Sequence, residues 1–307
     1  AAPKSAEEIV HPPLRRRLAD IGYLAGIGAL ALLVGALSLF LFKPSMGGMA
    51  AGMAEGSAAQ VARVSLDTGG PVQPGVPTTL KLTLTVASNG QPVRALAVEH
   101  EAPMHLIVVS RDLGHFAHIH PQAADKPGEW AVEHTFPAGG DYILYDEFAV
   151  EGSSDEVHRI DLKVGEGDSP AAALSPDLSP KQSGEYTVAI EPRGEVRAGQ
   201  PAGFVLSVSS GGKPVSDLQP YLGAASHVVV LDANASNFSH VHAVPGSEVP
   251  QAMGGMPEEE EMAELPASFG PGLAFSHQFP KPGLYKVWSQ FQHKGQVQTV
   301  AWVVEVR

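Results

Sequence analysis

Two His-x-His pairs are the residues of this chain best spaced to do chemistry together. They are His118-Ile119-His120 and His240-Val241-His242. Side chains alternate between the two faces of a β-strand, so both imidazoles of a pair would lie on one face and the intervening apolar residue on the other. Two imidazoles at this spacing suit chelation of one metal ion.

Further histidines extend each pair toward a full ligand set. His105 lies thirteen residues before the first-copy pair, and His227 lies thirteen residues before the second-copy pair. If a hairpin through residues 110–114 brings His105 beside its pair, three nitrogens converge in that copy. His134 and His277 offer a fourth ligand from a later strand, with strand packing as the alternative explanation. The predicted metal ligands are His105, His118, His120, His134, His227, His240, His242 and His277.

The matching spacings arise from an internal duplication, which predicts one metal site in each copy. His105, His118 and His120 match three histidines of the second copy, His227, His240 and His242, at one constant offset, and Phe, Pro, Gly and Tyr residues recur around His134 and His277. The later offset is 21 residues longer, so the second copy holds an insertion between His242 and His277. Tyr142 and Tyr285, in the recurring Gly-x-Tyr motif, are predicted to be core residues at a sandwich corner rather than redox groups.

The elements that must position these histidines are predicted to be strands. Leu80, Leu82 and Leu84 alternate with polar residues, the period of two typical of half-buried strands. In the first copy we predict strands near 61–68, 78–87, 95–100, 104–110, 116–120, 129–136, 141–150 and 156–164. The predicted fold is all-β: two tandem antiparallel β-sandwich domains of immunoglobulin or cupredoxin type after an N-terminal transmembrane helix.

Composition excludes several classes of function. The 307 residues carry a formal net charge of −13, which repels phosphate backbones and argues against nucleic acid as a partner. There is no cysteine, so disulfides, thiolate metal sites and cysteine nucleophiles are excluded. No Ser-His-Asp arrangement, phosphate-binding loop or dinucleotide fingerprint is visible.

The N-terminal region predicts a membrane anchor. Residues 21–42 contain no charge and are long enough to cross a bilayer as a helix. Three arginines, residues 15–17, precede them, which predicts a cytoplasmic tail over 1–20, a transmembrane helix over 21–43 and everything later outside the cytoplasm, in the cell envelope. A cleaved signal peptide is the alternative. The predicted remainder is a Met/Gly-rich linker (44–60), a first sandwich (61–165), a linker (166–184) and a second sandwich (185–307) with a Met/Glu-rich insertion (245–268).

The donor types narrow the choice of metal. All-nitrogen sites suit Cu(II) or Zn(II), and the Irving–Williams order favours copper, with zinc as the second choice. A Met-Gly-Gly-Met sequence occurs at 46–49 and again at 253–256, with Met53 and Met262 nearby. Thioether sulfur prefers Cu(I), so these loops are candidates for copper capture. The alternative is that methionine is simply tolerated in tethers.

The motifs Met-His-Leu, Phe-x-His-x-His-Pro and His-x-Phe-Pro-x-x-Gly-x-Tyr resemble those of the YtkA-like, His-rich envelope domains that accompany bacterial copper handling. The resemblance spans about residues 60–165 and 184–307. The whole layout also resembles the copper-only superoxide dismutases associated with bacterial surface-layer complexes. This resemblance implies a copper-dependent superoxide dismutase, with superoxide as substrate and surface-layer or other envelope proteins as partners.

Under the dismutase hypothesis, Arg111 on the hairpin after His105 is the candidate anion guide. Several features depart from copper–zinc superoxide dismutases: there is no disulfide, no zinc-binding subloop is visible, and the His-x-His motif follows His105 instead of preceding it. The net negative charge also opposes steering of an anion. Two alternatives therefore stay open, an anchored copper carrier or buffer for other envelope proteins, and a structural stalk or adaptor of a surface-layer assembly.

Overall fold

The computed structural model describes residues 60–167, 170, 172–250 and 265–307, and this part of the chain is all-β with antiparallel sheets. No helix among these residues is long and apolar enough to cross a bilayer. The predicted transmembrane helix and both Met-Gly-Gly-Met sequences lie outside the described residues. The strands are β1 (Ala62–Asp67), β2 (Pro77–Val86), β3 (His105–Ser110), β4 (Phe116–Ile119), β5 (Gln122–Ala123), β6 (Glu129–Thr135), β7 (Gly140–Ala149), β8 (Asp155–Val164), β9 (Lys181–Ser183), β10 (Tyr186–Pro192), β11 (Pro201–Ser210), β12 (Lys213–Pro214), β13 (Ser226–Asp232), β14 (Phe238–Pro245), β15 (Gly272–Gln278), β16 (Gly283–His293) and β17 (Gln296–Val306).

The first copy is a sandwich of two four-stranded sheets, ordered β1-β2-β6-β5 and β4-β3-β7-β8. Its core lies between them, where the alternating leucines of β2 meet Leu106 and Val108 of β3 and Leu144 of β7. The leucine alternation therefore places one face of β2 in the core, as the period of two predicts.

The second copy repeats this arrangement and joins its two halves. The order β14-β13-β16-β17 matches β4-β3-β7-β8, and β10-β11-β15 matches β1-β2-β6. Here β14 is longer than β4 and pairs with β15 through Val244 and Pro245, so one sheet of nine strands curves around the core. Aromatic rings fill that core, including Phe204, Phe275 and Trp302.

Seven of the eight strands predicted in the first copy are confirmed, and the strand near 95–100 is wrong. That stretch forms only isolated bridges, Leu96 to Val150 and Glu99 to Ala102. The chain turns there instead, with positive φ values of 48° at His100 and 61° at Glu101. An extended strand requires negative φ at each residue, so this turn ends the pairing.

The prediction of two core tyrosines at sandwich corners is confirmed. Tyr142 and Tyr285 are each 2% exposed and belong to the cores of their repeats. The Tyr142 hydroxyl donates to the Ala138 carbonyl at 3.0 Å, and the Tyr285 hydroxyl donates to the Lys281 carbonyl at 2.9 Å. Each ring therefore fastens the loop that precedes its strand.

The two repeats, both within one compact unit that spans Ala58–Arg307, pack against each other through an apolar layer. Phe116 stacks on Trp288 with 5.1 Å between ring centroids, and Tyr145 stacks on Phe238 at 4.5 Å. Phe238 is the second-repeat counterpart of Phe116, and Trp288 is the counterpart of Tyr145. The repeats thus exchange equivalent contacts, as two subunits do around a two-fold axis. We call this layer the inter-repeat layer; its buried members are Ile107, Val109, Leu113, Ile143, Tyr145, Val229, Leu231, Ala235 and Trp288.

Candidate metal centre

Histidines from both repeats meet at one end of the inter-repeat layer. His105 begins β3 on the same face as Ile107 and Val109, which belong to that layer. The intervening Ile119 packs against the first core and Val241 against the second, so both His-x-His pairs face the opposite repeat. The duplicated histidine spacings predict one separate site per copy. The structure brings the two sets together instead, because the sheet that bears them is apolar on both faces.

Within each repeat, two ring nitrogens lie at the spacing of ligands to one ion. His105 Nδ1 is 3.0 Å from His118 Nε2, and His227 Nδ1 is 3.0 Å from His240 Nε2. His120 Nε2 lies 3.2 Å from the same nitrogen of His118. Ligands held about 2.0–2.1 Å from a metal ion are separated by about 3 Å, so these distances fit a shared cation.

Ring centroids of histidines from different repeats lie about as close together as those of His105 and His118 (5.3 Å) or of His227 and His240 (5.2 Å) within one repeat. His118 and His240 have their ring centroids 5.0 Å apart, and His105 and His240 are at 5.4 Å. His227 lies 5.3 Å from His118. Two groups of three imidazoles have ligand atoms within 4.8 Å of one another, and His240 belongs to both; they are His105, His118, His240 and His227, His240, His242.

Backbone carbonyls fix the rings of His105 and His227. His105 Nε2 lies 3.1 Å from the Glu99 carbonyl, and His227 Nε2 lies 2.9 Å from the Tyr221 carbonyl. A carbonyl only accepts, so each Nε2 donates a proton and each Nδ1 of the neutral ring presents a lone pair to the cluster. Hydrogen bonds of this kind orient the histidine ligands of metal sites.

Side chains from the opposite repeat fix the rings of His118 and His240. His118 Nδ1 donates to Gln290 Oε1 at 3.0 Å, and His240 Nδ1 donates to Glu147 Oε2 at 2.6 Å. The Gln290 amide donates in turn to the Thr299 hydroxyl at 3.0 Å, which keeps its oxygen toward the imidazole. The Nε2 lone pairs of both histidines therefore also point into the cluster.

When both rings of a pair are neutral, their nitrogen lone pairs thus face each other at 3.0 Å, which is repulsive unless both nitrogens bind a cation. Burial lowers the pKa of His118 and His227 well below 6.5, and neighbouring His240 lowers both further. Burial, followed by His240, lowers the pKa of His105 to about 4. Protonation of His105, His118 and His227 is therefore disfavoured near neutral pH, whereas a metal ion binds neutral imidazole directly.

The ligands are shielded from water. His105, His118 and His227 are 4%, 7% and 1% exposed, and the side chain of His240 is 2% exposed. His120 is half-buried, and burial, followed by His105, lowers its pKa to about 4. The donor set, imidazole without thiolate or thioether, fits Cu(II) or Zn(II).

His100 belongs to this cluster and was missed by sequence reasoning. Its ring lies against His242 of the other repeat, with 3.6 Å between centroids, and 5.9 Å from His227. It has no counterpart histidine, because Leu222 occupies its position in the second repeat. Recurrence in both copies identifies only histidines that have a counterpart, so it does not predict His100 as a ligand. His242 Nε2 is buried without a hydrogen-bond partner among the described residues.

His134 and His277 do not lie with the other six predicted ligands. They stand on β6 and β15, whereas the other six lie on or next to β3, β4, β13 and β14. The His134 ring contacts Phe136 at 4.6 Å between centroids and His115 at 5.7 Å, and the His277 ring contacts Phe279 at 4.6 Å. Both rings pack beside a core phenylalanine, which agrees with strand packing, the alternative explanation for these two histidines.

Arg111 also lies away from the cluster. It is exposed in the turn after β3, whereas His105 is the first residue of that strand. Six residues of extended chain separate them by about 20 Å. An arginine at that distance does not contact a ligand at the histidines.

The chain has distant similarity to solved structures of other proteins. No curated protein matches the chain. The Salmonella α2-macroglobulin reacted with methylamine is 12% identical with a TM-score of 0.25, over 81% of this chain and 15% of that chain. The Yersinia pseudotuberculosis adhesin InvE is 9% identical with a TM-score of 0.24, over 79% and 59%. This chain thus spans only part of either protein, and neither similarity bears on function.

A protein family matches both repeats. Its description is "Domain of unknown function (DUF8832)", and it covers residues 57–165 and 181–307, which include the described strands of the two repeats and every histidine of the cluster. Most of the chain is covered, so the protein belongs to the DUF8832 family.

Proposed function

We propose that this protein binds copper through the histidine cluster between its repeats. The observation that supports this is the facing of imidazole lone pairs at 3.0 Å in both repeats, each ring being fixed by an acceptor on its other nitrogen. An all-nitrogen set binds copper more strongly than zinc at equal availability. Zinc is the second choice of occupant.

The proposed setting is the cell envelope. This part of the proposal depends on the apolar, uncharged residues 21–42 and the arginines before them. The two repeats are proposed to be sandwiches of the immunoglobulin or cupredoxin type, held outside the cytoplasm by that anchor. Surface-layer or other envelope proteins are the proposed partners.

Superoxide dismutation is the activity that we propose first. When bound, copper supplies a one-electron couple: one superoxide ion loses an electron and leaves as O₂, and a second gains that electron with two protons and leaves as H₂O₂. Imidazole ligands serve both oxidation states of copper. The half-buried rings of His100 and His120 border the buried ligands and provide the approach for a small anion.

Copper carriage or storage is the second candidate, favoured by the charges around the cluster. Glu147 accepts from His240, and the charges of Glu147 and Asp155 act on His100. Negative side chains repel superoxide but attract a copper ion. The cationic side chain proposed as an anion guide, Arg111, is about 20 Å along the chain from His105.

One set of measurements separates these functions. The full chain, purified in detergent and loaded with copper, is analysed for metal content by mass spectrometry and for superoxide decay by stopped-flow absorbance. We expect stoichiometric copper and rapid decay of superoxide, both lost in the His118→Ala/His240→Ala double variant. Arg111→Ser serves as the matched control and keeps both.

The other outcomes point elsewhere. Stoichiometric copper without superoxide decay, together with transfer of Cu(I) to a chelator, indicates a carrier. A chain that takes up neither copper nor zinc would overturn metal binding altogether. In that case the structural stalk or adaptor is the function that is left.

A further inference from the structure

We propose that the two repeats share a single metal ion at their pseudo-two-fold axis. Two imidazoles from each repeat hold it, and we call them the four-histidine set: His105, His118, His227 and His240. This inference deepens the proposed metal binding and rests on it. It replaces two independent sites, one per repeat, with one site that neither repeat forms alone.

The spacing of the four rings fits one ion at their centre. The six distances between ring centroids are 5.3, 6.1, 5.4, 5.3, 5.0 and 5.2 Å. An ion about 2.0 Å from each nitrogen lies about 3.2 Å from each centroid, and a tetrahedron of that size has edges of about 5.2 Å. The longest edge joins His105 and His227, the two histidines whose rings are held by backbone carbonyls.

The hydrogen bonds leave each ring one nitrogen for the centre. His105 and His227 keep Nδ1 free of acceptors, because their Nε2 atoms donate to carbonyls. His118 and His240 keep Nε2, because their Nδ1 atoms donate to Gln290 and Glu147. All four inner nitrogens belong to close pairs at 3.0 Å, one pair in each repeat.

His240 cannot serve two ions through the same nitrogen. Both three-histidine groups include it, yet its Nδ1 is occupied by Glu147. Its Nε2 can therefore bind only one ion, so the two groups cannot both form complete three-histidine sites at the same time. His120 and His242 flank the set, and His120 approaches the same nitrogen of His118 at 3.2 Å.

Sharing one ion predicts how single substitutions behave. In two independent sites, His118→Gln removes one ion and His240→Gln removes the other, so each variant keeps half of the metal. In one shared site, either substitution weakens the same ion. Glutamine keeps the side chain polar and of similar length, which limits the disturbance of packing.

The test titrates the full metal-free chain in detergent with Zn²⁺ and, separately, Co²⁺, both of which bind without redox chemistry. Stoichiometry comes from mass spectrometry, and coordination from the visible absorption of Co²⁺, which is intense only in tetrahedral sites. We expect one high-affinity ion per chain with the tetrahedral spectrum. His118→Gln and His240→Gln should each lower the affinity for it by at least 100-fold.

His134→Gln and His277→Gln are the matched controls, since these two histidines correspond between the repeats but lie outside the cluster. Both should retain one ion and the same cobalt spectrum. Unfolding curves of each metal-free variant verify that it folds. Two ions in the wild-type chain, with each cluster variant keeping one, would overturn the shared site while leaving metal binding intact. A wild-type chain that binds no ion overturns both.

Discussion

Glu147 and Gln290 occupy the same position in the two repeats, and each accepts a hydrogen bond from a histidine of the other repeat. Glu147 on β7 accepts from His240 at 2.6 Å, and Gln290 on β16 accepts from His118 at 3.0 Å. The exchange links the repeats through the metal ligands themselves. It also makes the two halves chemically different, because one acceptor is a carboxylate and the other is an amide.

The Glu147 carboxylate should strengthen metal binding at the histidine cluster. Acceptors behind a ligating histidine raise its basicity, and their removal lowers metal affinity by about 10–100-fold. We expect Glu147→Gln to weaken copper binding within that range, as measured by competition with a chelator. Glu133→Gln, which removes an exposed carboxylate on β6, is the control and should change nothing. Equal affinity of wild type and Glu147→Gln would contradict this role.

Asp146 should make the protein less stable as the pH rises. It is 0% exposed, neither carboxylate oxygen has a partner among the described residues, and burial, followed by the charge of Glu147, raises its pKa well above 3.8. Above the unfolded pKa the folded chain holds the proton more tightly, so stability falls by up to about 1.4 kcal/mol per pH unit until the folded pKa is reached.

We therefore expect Asp146→Asn to flatten this fall between pH 5 and pH 8 in urea unfolding of the metal-free chain. Asp161→Asn, an exposed carboxylate on β8, is the comparison. If the unfolding free energies of wild type and Asp146→Asn change with pH in the same way, the pKa of the Asp146 carboxyl is not raised in the folded chain.

Histidine burial should destabilise the metal-free protein in acid. Burial lowers the pKa of His277 to about 4. A depressed histidine pKa contributes stability that is complete above the unfolded value of about 6.5 and is lost as the pH falls toward 4. The loss for one such group is about 1–3 kcal/mol, since part of the ring is exposed.

Replacement by asparagine tests this directly. The metal-free His277→Asn chain should lose less stability between pH 7 and pH 4.5 than the wild type does, as followed by urea unfolding. If the two lose the same amount, the imidazole titrates normally in the folded chain.

The stacked rings between the repeats should support both stability and metal binding. Trp288 is 4% exposed and stacks on Phe116 of the other repeat. Truncation of a buried tryptophan costs about 3–5 kcal/mol, so Trp288→Ala should lower the unfolding free energy by about that amount. It should also weaken zinc binding, because the cluster lies at the end of the same layer.

Trp130→Ala separates the two effects. Trp130 packs against the core of the first repeat on β6, outside the inter-repeat layer. The Trp130→Ala substitution should lower the unfolding free energy. The fraction of the variant that stays folded should bind zinc with wild-type affinity. A loss of affinity in both variants would tie metal binding to overall stability and not to the contact between repeats.

Local pattern in the sequence predicted the strands well where one face was apolar. The alternation in β2 and the recurring Gly-x-Tyr motif identified core positions that the structure contains. It failed at 95–100, because the positive φ values at His100 and Glu101 belong to a turn that no apolar periodicity marks. That turn brings His100 to the cluster.

Residue pattern alone establishes that the chain is a β-rich duplication and that each His-x-His pair shares one face of a strand. What covers that face depends on how the two repeats pack together. A period of two assigns a side chain to a face but does not identify the surface packed against it, since β3 is apolar on both sides. Docking of the repeats therefore united the histidines, supplied Glu147 and Gln290 as acceptors, and left His134 and His277 within their own sandwiches.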